Sequence, residues 1–306
     1  MVVAVQTLCP AKINLELRVG PLGGDGFHPL RTWMVTVGLF DTLDLSPPDS
    51  GSPQGGGRLS LTCSEPSIPC DAGNLVLRAA MRLREHHSRE ALGAAMRLHK
   101  RIPAGGGLGG GSSDAAAALR ALDALWQLGT PEAELHTLAA SLGSDVPFFL
   151  GGPSNLCTGR GEFLRQIDAP RPTRVLLILP PIALPTPAVY RQFDAMPRSV
   201  LASPDAWREP FDDGWCALPA TELLEKLAND LEPPAFALRP DLAELRATAE
   251  RTIGRAVRMS GSGSTLFSLF DTEPEAAEAA KVLRNRLNTS EAAGVVRIEN
   301  LPLAPA

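Results

Sequence analysis

The chain has 306 residues, 44% of them hydrophobic, and a formal net charge of −5. That length exceeds a single ordinary hydrophobic core, so two domains with a cleft between them are expected, and the apolar content is enough to fill both. An acidic balance, with a pI near 5.6, lacks the basic surface that releases counterions from a phosphate backbone, which disfavours nucleic acid as a partner.

In chain order, residues 11–19 (AKINLELRV) alternate apolar and polar side chains as a half-buried strand does, and residues 21–29 (PLGGDGFHP) are dense in turn formers. Residues 31–46 read as extended. The stretch 47–57 (PPDSGSPQGGG) has too little apolar content to pack and reads as a mobile connector. Residues 74–87 place Leu75, Leu77, Ala79 and Leu83 at helical spacing among basic residues, with Asn74 as an N-cap. Residues 94–103 read as a strand that delivers the chain to a glycine-rich loop, and a long alanine- and leucine-rich helix follows it. Beyond a short strand near residue 174 the character changes to proline-rich turns and then to alternating helices and strands. The domain boundary is therefore placed near residue 165, giving units 1–165 and 166–306. Residues 194–219 follow neither period.

Five cysteines, Cys9, Cys63, Cys70, Cys157 and Cys216, are an odd number at irregular spacing with no Cys-x-x-Cys pair, which fits neither a disulfide framework nor a zinc site. A reduced cytoplasm is the expected setting. No basic stretch followed by an apolar core opens the chain, and no run approaches the roughly 18 apolar residues of a membrane span. His86, His87, His99 and His136 show no metal-ligand spacing, so no protein-held metal site is expected.

The strongest chemical signal is residues 103–114, PAGGGLGGGSSD: Pro103, Ala104, Gly105, Gly106, Gly107, Leu108, Gly109, Gly110, Gly111, Ser112, Ser113 and Asp114. Glycines let backbone N–H groups approach an anion without Cβ interference, and the helix that follows offers its unpaired N–H groups and positive dipole end to the same anion. Ser112 and Ser113 add hydroxyls for phosphate or Mg²⁺. A polyphosphate is the implied ligand. The loop lacks the Gly-Lys-Ser/Thr of a Walker motif and is not a dinucleotide fingerprint. A flexible linker is the bland alternative, and it seldom runs into so apolar a helix.

This loop resembles the second motif of the GHMP kinases. Residues 10–15 (PAKINL) are similar to that family's first motif, residues 259–267 (MSGSGSTLF) to its third, and residues 143–152 (GSDVPFFLGG) to its GADVPFF segment; all stand in family order. The resemblance covers most of the chain. It implies an α+β, two-domain GHMP kinase fold with a ribosomal-protein-S5-like N-terminal domain, a ferredoxin-like C-terminal domain and a site in the cleft between them. It also implies ATP as donor, with Mg²⁺ delivered by the nucleotide rather than held by a dedicated site, and Asn74 beside the glycine loop at the nucleotide. Lys12 and Asp145 are the implied catalytic pair. Phosphoryl transfer passes through a loose transition state with charge on the phosphoryl oxygens, which a lysine can offset while a carboxylate accepts the alcohol proton.

Residues 25–28 (DGFH) resemble the DGYH segment of the family branch that phosphorylates a cytidine-diphosphate-linked methylerythritol. The resemblance implies that Phe27, in place of the usual Tyr, stacks on the cytosine, that His28 reads the base edge, and that Tyr190, after the Pro-Thr-Pro turn holding Thr186, closes the other side. Asn14 is the matching position for hydrogen bonds to the substrate. Two rivals stay open: a GHMP kinase acting on homoserine, mevalonate or a sugar, and a metabolite sensor that keeps this fold without turnover.

Overall fold

The computed structural model of the protein describes residues 5–48, 57–200, 203, 205–287 and 292–298; residues 49–56 of the expected connector lie outside these. Two sheets organise the chain. The first holds β1 (Val5–Val19), β2 (Leu30–Ser46), β3 (Leu59–Cys63), β4 (Ala94–His99), β5 (Ser154–Gly159) and β6 (Phe163–Gln166). Strand β2 pairs with β1 along one edge and divides the other between β5, at residues 30–35, and β4, at residues 42–46. The second sheet has the order β10-β7-β9-β8, with β7 (Arg174–Leu179), β8 (Arg258–Met259), β9 (Leu266–Phe270) and β10 (Ala292–Arg297).

Helices α1 (Leu75–His86), α2 (Gly110–Trp126) and α3 (Glu132–Leu142) cover one face of the first sheet. Helix α1 starts where Asn74 Oδ1 accepts from Val76 N at 2.9 Å, a side-chain cap that satisfies an otherwise orphaned donor, and it buries Val76, Leu77, Ala79, Ala80 and Leu83. Helix α2 is built on alanine because it lies between sheet and helices, and Ala115, Ala116, Ala118 and Ala121 permit that close approach. Helices α4 (Thr186–Ala195), α5 (Ala220–Lys226), α6 (Glu232–Leu238), α7 (Pro240–Ile253) and α8 (Glu273–Arg286) belong to the second half. Among the described residues of 194–219, which follow no period, short 3₁₀ segments stand at Arg198–Val200, Ala206–Arg208 and Asp213–Ala217.

The two sheets share a core. Ala11, Ile13 and Leu15 of β1 and Trp33, Val35 and Val37 of β2 pack in one cluster with Val175 and Leu177 of β7, Phe267 and Leu269 of β9, and Leu223 and Leu224 of α5. Strand β1 therefore departs from the half-buried expectation. Ala11, Ile13 and Leu15 face this shared core, Leu17 and Val19 a second cluster, and its polar positions Lys12, Asn14 and Glu16 are also buried, at 3%, 5% and 0% exposure. Alternation in the sequence marked two different buried faces, one apolar and one polar. Register shifts at Pro10/Ala11 and Asn14/Glu16 bracket the polar pair and re-aim it, as bulges beside functional sites do.

Leu283 on α8 is fully buried in a separate cluster against the second sheet that includes none of Lys12, Asn14 and Glu16. Leu283→Ala is expected to destabilise the fold by about 2–5 kcal/mol through lost burial and a residual cavity, measured by chemical denaturation.

Candidate active site

The glycine-rich loop leaves β4 through Ile102 and enters α2 at Gly109, whose φ of 70° stands where an N-cap side chain usually does. A Cβ at Gly109 would lie 2.9 Å from Lys12 Cγ, and one at Gly107 (φ +76°) would lie 2.7 Å from Ser260 O. Glycine is thus required here by space as well as by angle. The loop is fastened to β1 by Lys12 N donating to Leu108 O at 2.9 Å. With Asn74, Lys100 and residues 103–112 it lines a cavity of about 400 Å³, within the range of small-molecule sites. Ser112 faces this cavity. Ser113 does not: its hydroxyl is buried without a hydrogen-bond partner. Asn74 both caps α1 and, through Nδ2, donates to Pro69 O at 2.8 Å, which fixes the cavity wall.

Beyond the loop a second cavity of about 150 Å³ is lined by Lys12, Asn14, Thr32, Asp145, Arg160, Thr186, Tyr190 and Gly261 among others. Lys12 Nζ lies 3.4 Å from Asp145 Oδ2 and donates to Asn14 Oδ1 at 2.6 Å. Asn14 Nδ2 in turn donates to Thr32 Oγ1 at 2.8 Å, so its amide is oriented from both ends. Asp145 follows α3 on a turn anchored by the buried side chains of Val146, Phe148 and Phe149, while its own side chain remains 39% exposed to the cavity. A fixed ammonium beside an accessible carboxylate, at the mouth of an anion-binding helix terminus, can hold a phosphoryl group and take a proton from its acceptor.

The structure brings His28 and Tyr190 together, with ring centroids 5.2 Å apart, and Phe193 packs edge-on to the same imidazole at 5.6 Å. His28 Nδ1 donates to Gly20 O at 2.9 Å, and Nε2 lies 3.3 Å from Asp194 Oδ1. Burial, with a smaller contribution from the Asp145 charge, pushes the Tyr190 phenol up to about 12, so it serves as a hydrogen-bond donor at neutral pH. Phe27 is half exposed, and no ring contact joins it to Tyr190 among the described residues. Instead the Arg160 guanidinium carbon sits 3.8 Å from the Phe27 centroid while Nη2 pairs with Asp25 Oδ2 at 2.7 Å. That hydrogen bond holds the Asp25 carboxyl below its usual range. Thr186, at the start of α4, pairs its hydroxyl with Ser262 Oγ at 2.8 Å, which ties the second aromatic's helix to the turn between β8 and β9.

That turn meets the glycine loop directly: Thr265 N donates to Gly106 O at 3.2 Å, and Ser260 Oγ donates to Gly107 O at 3.3 Å while accepting from Asn14 N at 3.1 Å. Sequence reasoning missed Arg160 and the buried residues grouped around Lys100. The first sits between glycines in Thr158-Gly159-Arg160-Gly161, a turn signal that could have drawn attention; the others carry no local pattern.

Residues 74–153 match the family described as GHMP kinases N terminal domain and residues 217–289 the one described as GHMP kinases C terminal. The 4-diphosphocytidyl-2-C-methyl-D-erythritol kinase of Synechococcus sp. (strain CC9605) is 40% identical over 275 residues, covering 85% of this chain and 86% of that protein. The chain belongs to the GHMP kinases. Within the family, the protein of the same name from Thermobifida fusca (strain YX) is 39% identical over 289 residues, 92% of each chain. A crystal structure of 4-(cytidine 5'-diphospho)-2C-methyl-D-erythritol kinase superposes with a TM-score of 0.72 at 36% identity, covering 96% of this chain and 99% of that one. The homoserine kinase of Cytophaga hutchinsonii, at 17% identity and a TM-score of 0.73, shares the fold across 97% of this chain and 96% of its own. Among the described residues no helix is long and apolar enough to cross a membrane.

Beneath the GHMP loop, Lys100 Nζ bridges Asp41 on β2 and, at 2.7 Å, Asp114 on α2, while Asp41 Oδ1 accepts from Ile102 N at 2.9 Å. Burial pushes the Asp114 carboxyl from the ordinary 3.8 up to about 7 against the opposing pull of Lys100. A raised folded-state pKa favours the folded protein below the unfolded value, and this contribution is lost as pH rises through the folded one. Asp114→Asn is therefore expected to flatten the decline in stability between pH 3.8 and about 7, read from denaturation midpoints across that window.

Proposed function

We propose that this chain transfers the γ-phosphoryl group of ATP to the 2-hydroxyl of 4-diphosphocytidyl-2-C-methyl-D-erythritol, a step of the non-mevalonate route to isoprenoid precursors. The observation that carries the reading is the Lys12–Asp145 pair, set between a glycine-loop cavity and a second cavity lined by Tyr190, whose ring lies 5.2 Å from the His28 imidazole. Identity of 35–40% over most of the chain to kinases of that name supports the same substrate. We assign residues 1–165 to the ATP-binding half and 166–306 to the half that contributes substrate contacts. The setting is cytoplasmic.

In this reading Pro103, Ala104, Gly105, Gly106, Gly107, Leu108, Gly109, Gly110, Gly111 and Ser112 cradle the triphosphate, Ser113 lies buried behind them in the first turn of α2, and Asn74 fixes the wall beside it. Ser112 and the exposed Asp145 carboxylate suit a nucleotide-borne cation, and among the described residues no group of three or more ligating side chains competes for it. Mg²⁺ bound with ATP supplies charge neutralisation on the phosphoryl oxygens. Lys12 holds the transferring phosphoryl, Asp145 accepts the hydroxyl proton, and Asn14 orients the alcohol. The cytosine meets Phe27, Tyr190 and His28, with Thr186 at the same subsite. A base on the Phe27 face that Arg160 now covers requires the guanidinium to move aside, a cost that cation–π contacts set at about 0.5–1 kcal/mol for an exposed site.

A coupled ADP-release assay with MgATP tests the whole. Turnover confined to the cytidine compound supports the assignment; turnover of homoserine, mevalonate or galactose instead discards the base subsite, and silence on all four favours a sensor. Asp145→Asn is expected to lower kcat by roughly 10²–10⁴-fold with ATP affinity near normal, and an unchanged kcat removes it from the proton path. Phe27→Ala is expected to weaken the cytidine compound by about 1–3 kcal/mol without touching ATP affinity, measured by calorimetry.

A further inference from the structure

Residues 229–232, Asn229-Asp230-Leu231-Glu232, lead into α6 and lie outside the sequence segments singled out above. Asn229 is buried, 6% exposed, and its side chain is fully engaged: Nδ2 donates to Met259 O at 2.8 Å and to Gly261 O at 2.7 Å, and Oδ1 accepts from Leu231 N at 2.9 Å. Glu232 Oε1 takes the Met259 N–H at 2.8 Å. On its other side the segment is clasped to β1, with Leu17 N donating to Ala228 O, Asp230 N donating to Leu17 O, and Val19 N donating to Asp230 Oδ2, each at 2.9 Å.

The turn held in this way, residues 259–263, has left-handed glycines at Gly261 (φ 58°) and Gly263 (φ 86°), so its own sequence does little to stiffen it. Yet Lys12, Asn14, the glycine loop and Thr186 all meet it. Gly261 approaches so closely that a Cβ there would lie 3.0 Å from Asn14 Oδ1 and 3.6 Å from Lys12 Nζ; Ser260 joins Asn14 to Gly107, and Ser262 meets Thr186. We propose that Asn229 is a positioning residue for phosphoryl transfer, fixing the 259–263 turn against Lys12 and the glycine loop from a segment clasped to the strand that carries Lys12. The proposal rests on the kinase reading above. A side chain that merely filled space here would have no need of both amide protons, each spent on a carbonyl of the turn.

The test compares full-length wild type, Asn229→Ala and Leu283→Ala for stability, for steady-state kinetics with MgATP and the cytidine-linked methylerythritol, and for ADP affinity by calorimetry. Asn229→Ala is expected to lower kcat per folded molecule about tenfold to hundredfold, the scale of sub-ångström to 1 Å misplacement, and to weaken ADP, while KM for the alcohol stays within roughly threefold. Leu283→Ala loses stability and keeps kcat. If Asn229→Ala instead behaves as Leu283→Ala does, the positioning role is overturned. Should Asn229→Ala not fold, Asn229→Asp keeps the acceptor for Leu231 N and replaces only the donor; a wild-type kcat in that variant overturns the proposal equally. Absence of turnover in wild type sinks the kinase reading alone, and the ADP affinities then decide: weaker in the Asn229 variants sustains the role, unchanged removes it.

Discussion

A lysine sits in the middle of a strand that is buried on both faces, and much of the molecule is arranged around that fact. Lys12 is 3% exposed, and an ammonium taken from water at such a depth requires partners of its own. It finds them in Asn14 on the same strand and in Asp145 on the turn after α3, and the two bulges of β1 aim it at them. Each partner is held from outside the site. Thr32 orients Asn14, and the buried Val146 and Phe148 seat the turn that presents Asp145.

Electrostatic preparation extends under the phosphate loop. The positive end of α2 needs a rigid frame to act on an anion, and the Lys100 bridge between Asp41 and Asp114 ties the strand that enters the loop to the helix that leaves it. Two carboxylates around one ammonium are nearly dry, and the Cys9 thiol beside them is pushed well up by burial and then by the charge of Asp114. All five cysteines are free, so the frame is held by ion pairing and packing rather than by cross-links.

The motifs were legible because glycine spacing, a helix cap and short runs such as PAKINL are local signals. Helix α1 with its Asn74 cap, the strand–loop–helix junction and the β8–β9 turn all follow from neighbours in sequence. What escaped is non-local. The bond from Asn14 N to Ser260 Oγ spans 246 positions and the Arg18–Asp230 pair spans 212, and nothing in either neighbourhood announces its partner. Arg160 over Phe27 is similar: residues 25–28 were read as a base-stacking segment, and the guanidinium that covers the ring comes from a distant hairpin. Alternation along β1 reads as a half-buried strand, and the burial of its polar half does not show in sequence because alternation reports chemistry, not what lies opposite.

The core common to the two sheets also decides how the molecule comes apart. Val175, Leu177, Phe267 and Leu269 from one half and Ile13, Trp33 and Val35 from the other complete a single apolar layer, so separating the halves bares both sides of it to water. The two domains are therefore expected to melt together, and cutting the chain between Gln166 and Arg174 would bare that apolar layer on both of them. Swinging the two domains apart to exchange ligand would cost that apolar layer, so opening confined to the loops and turns at the rim is the less costly route.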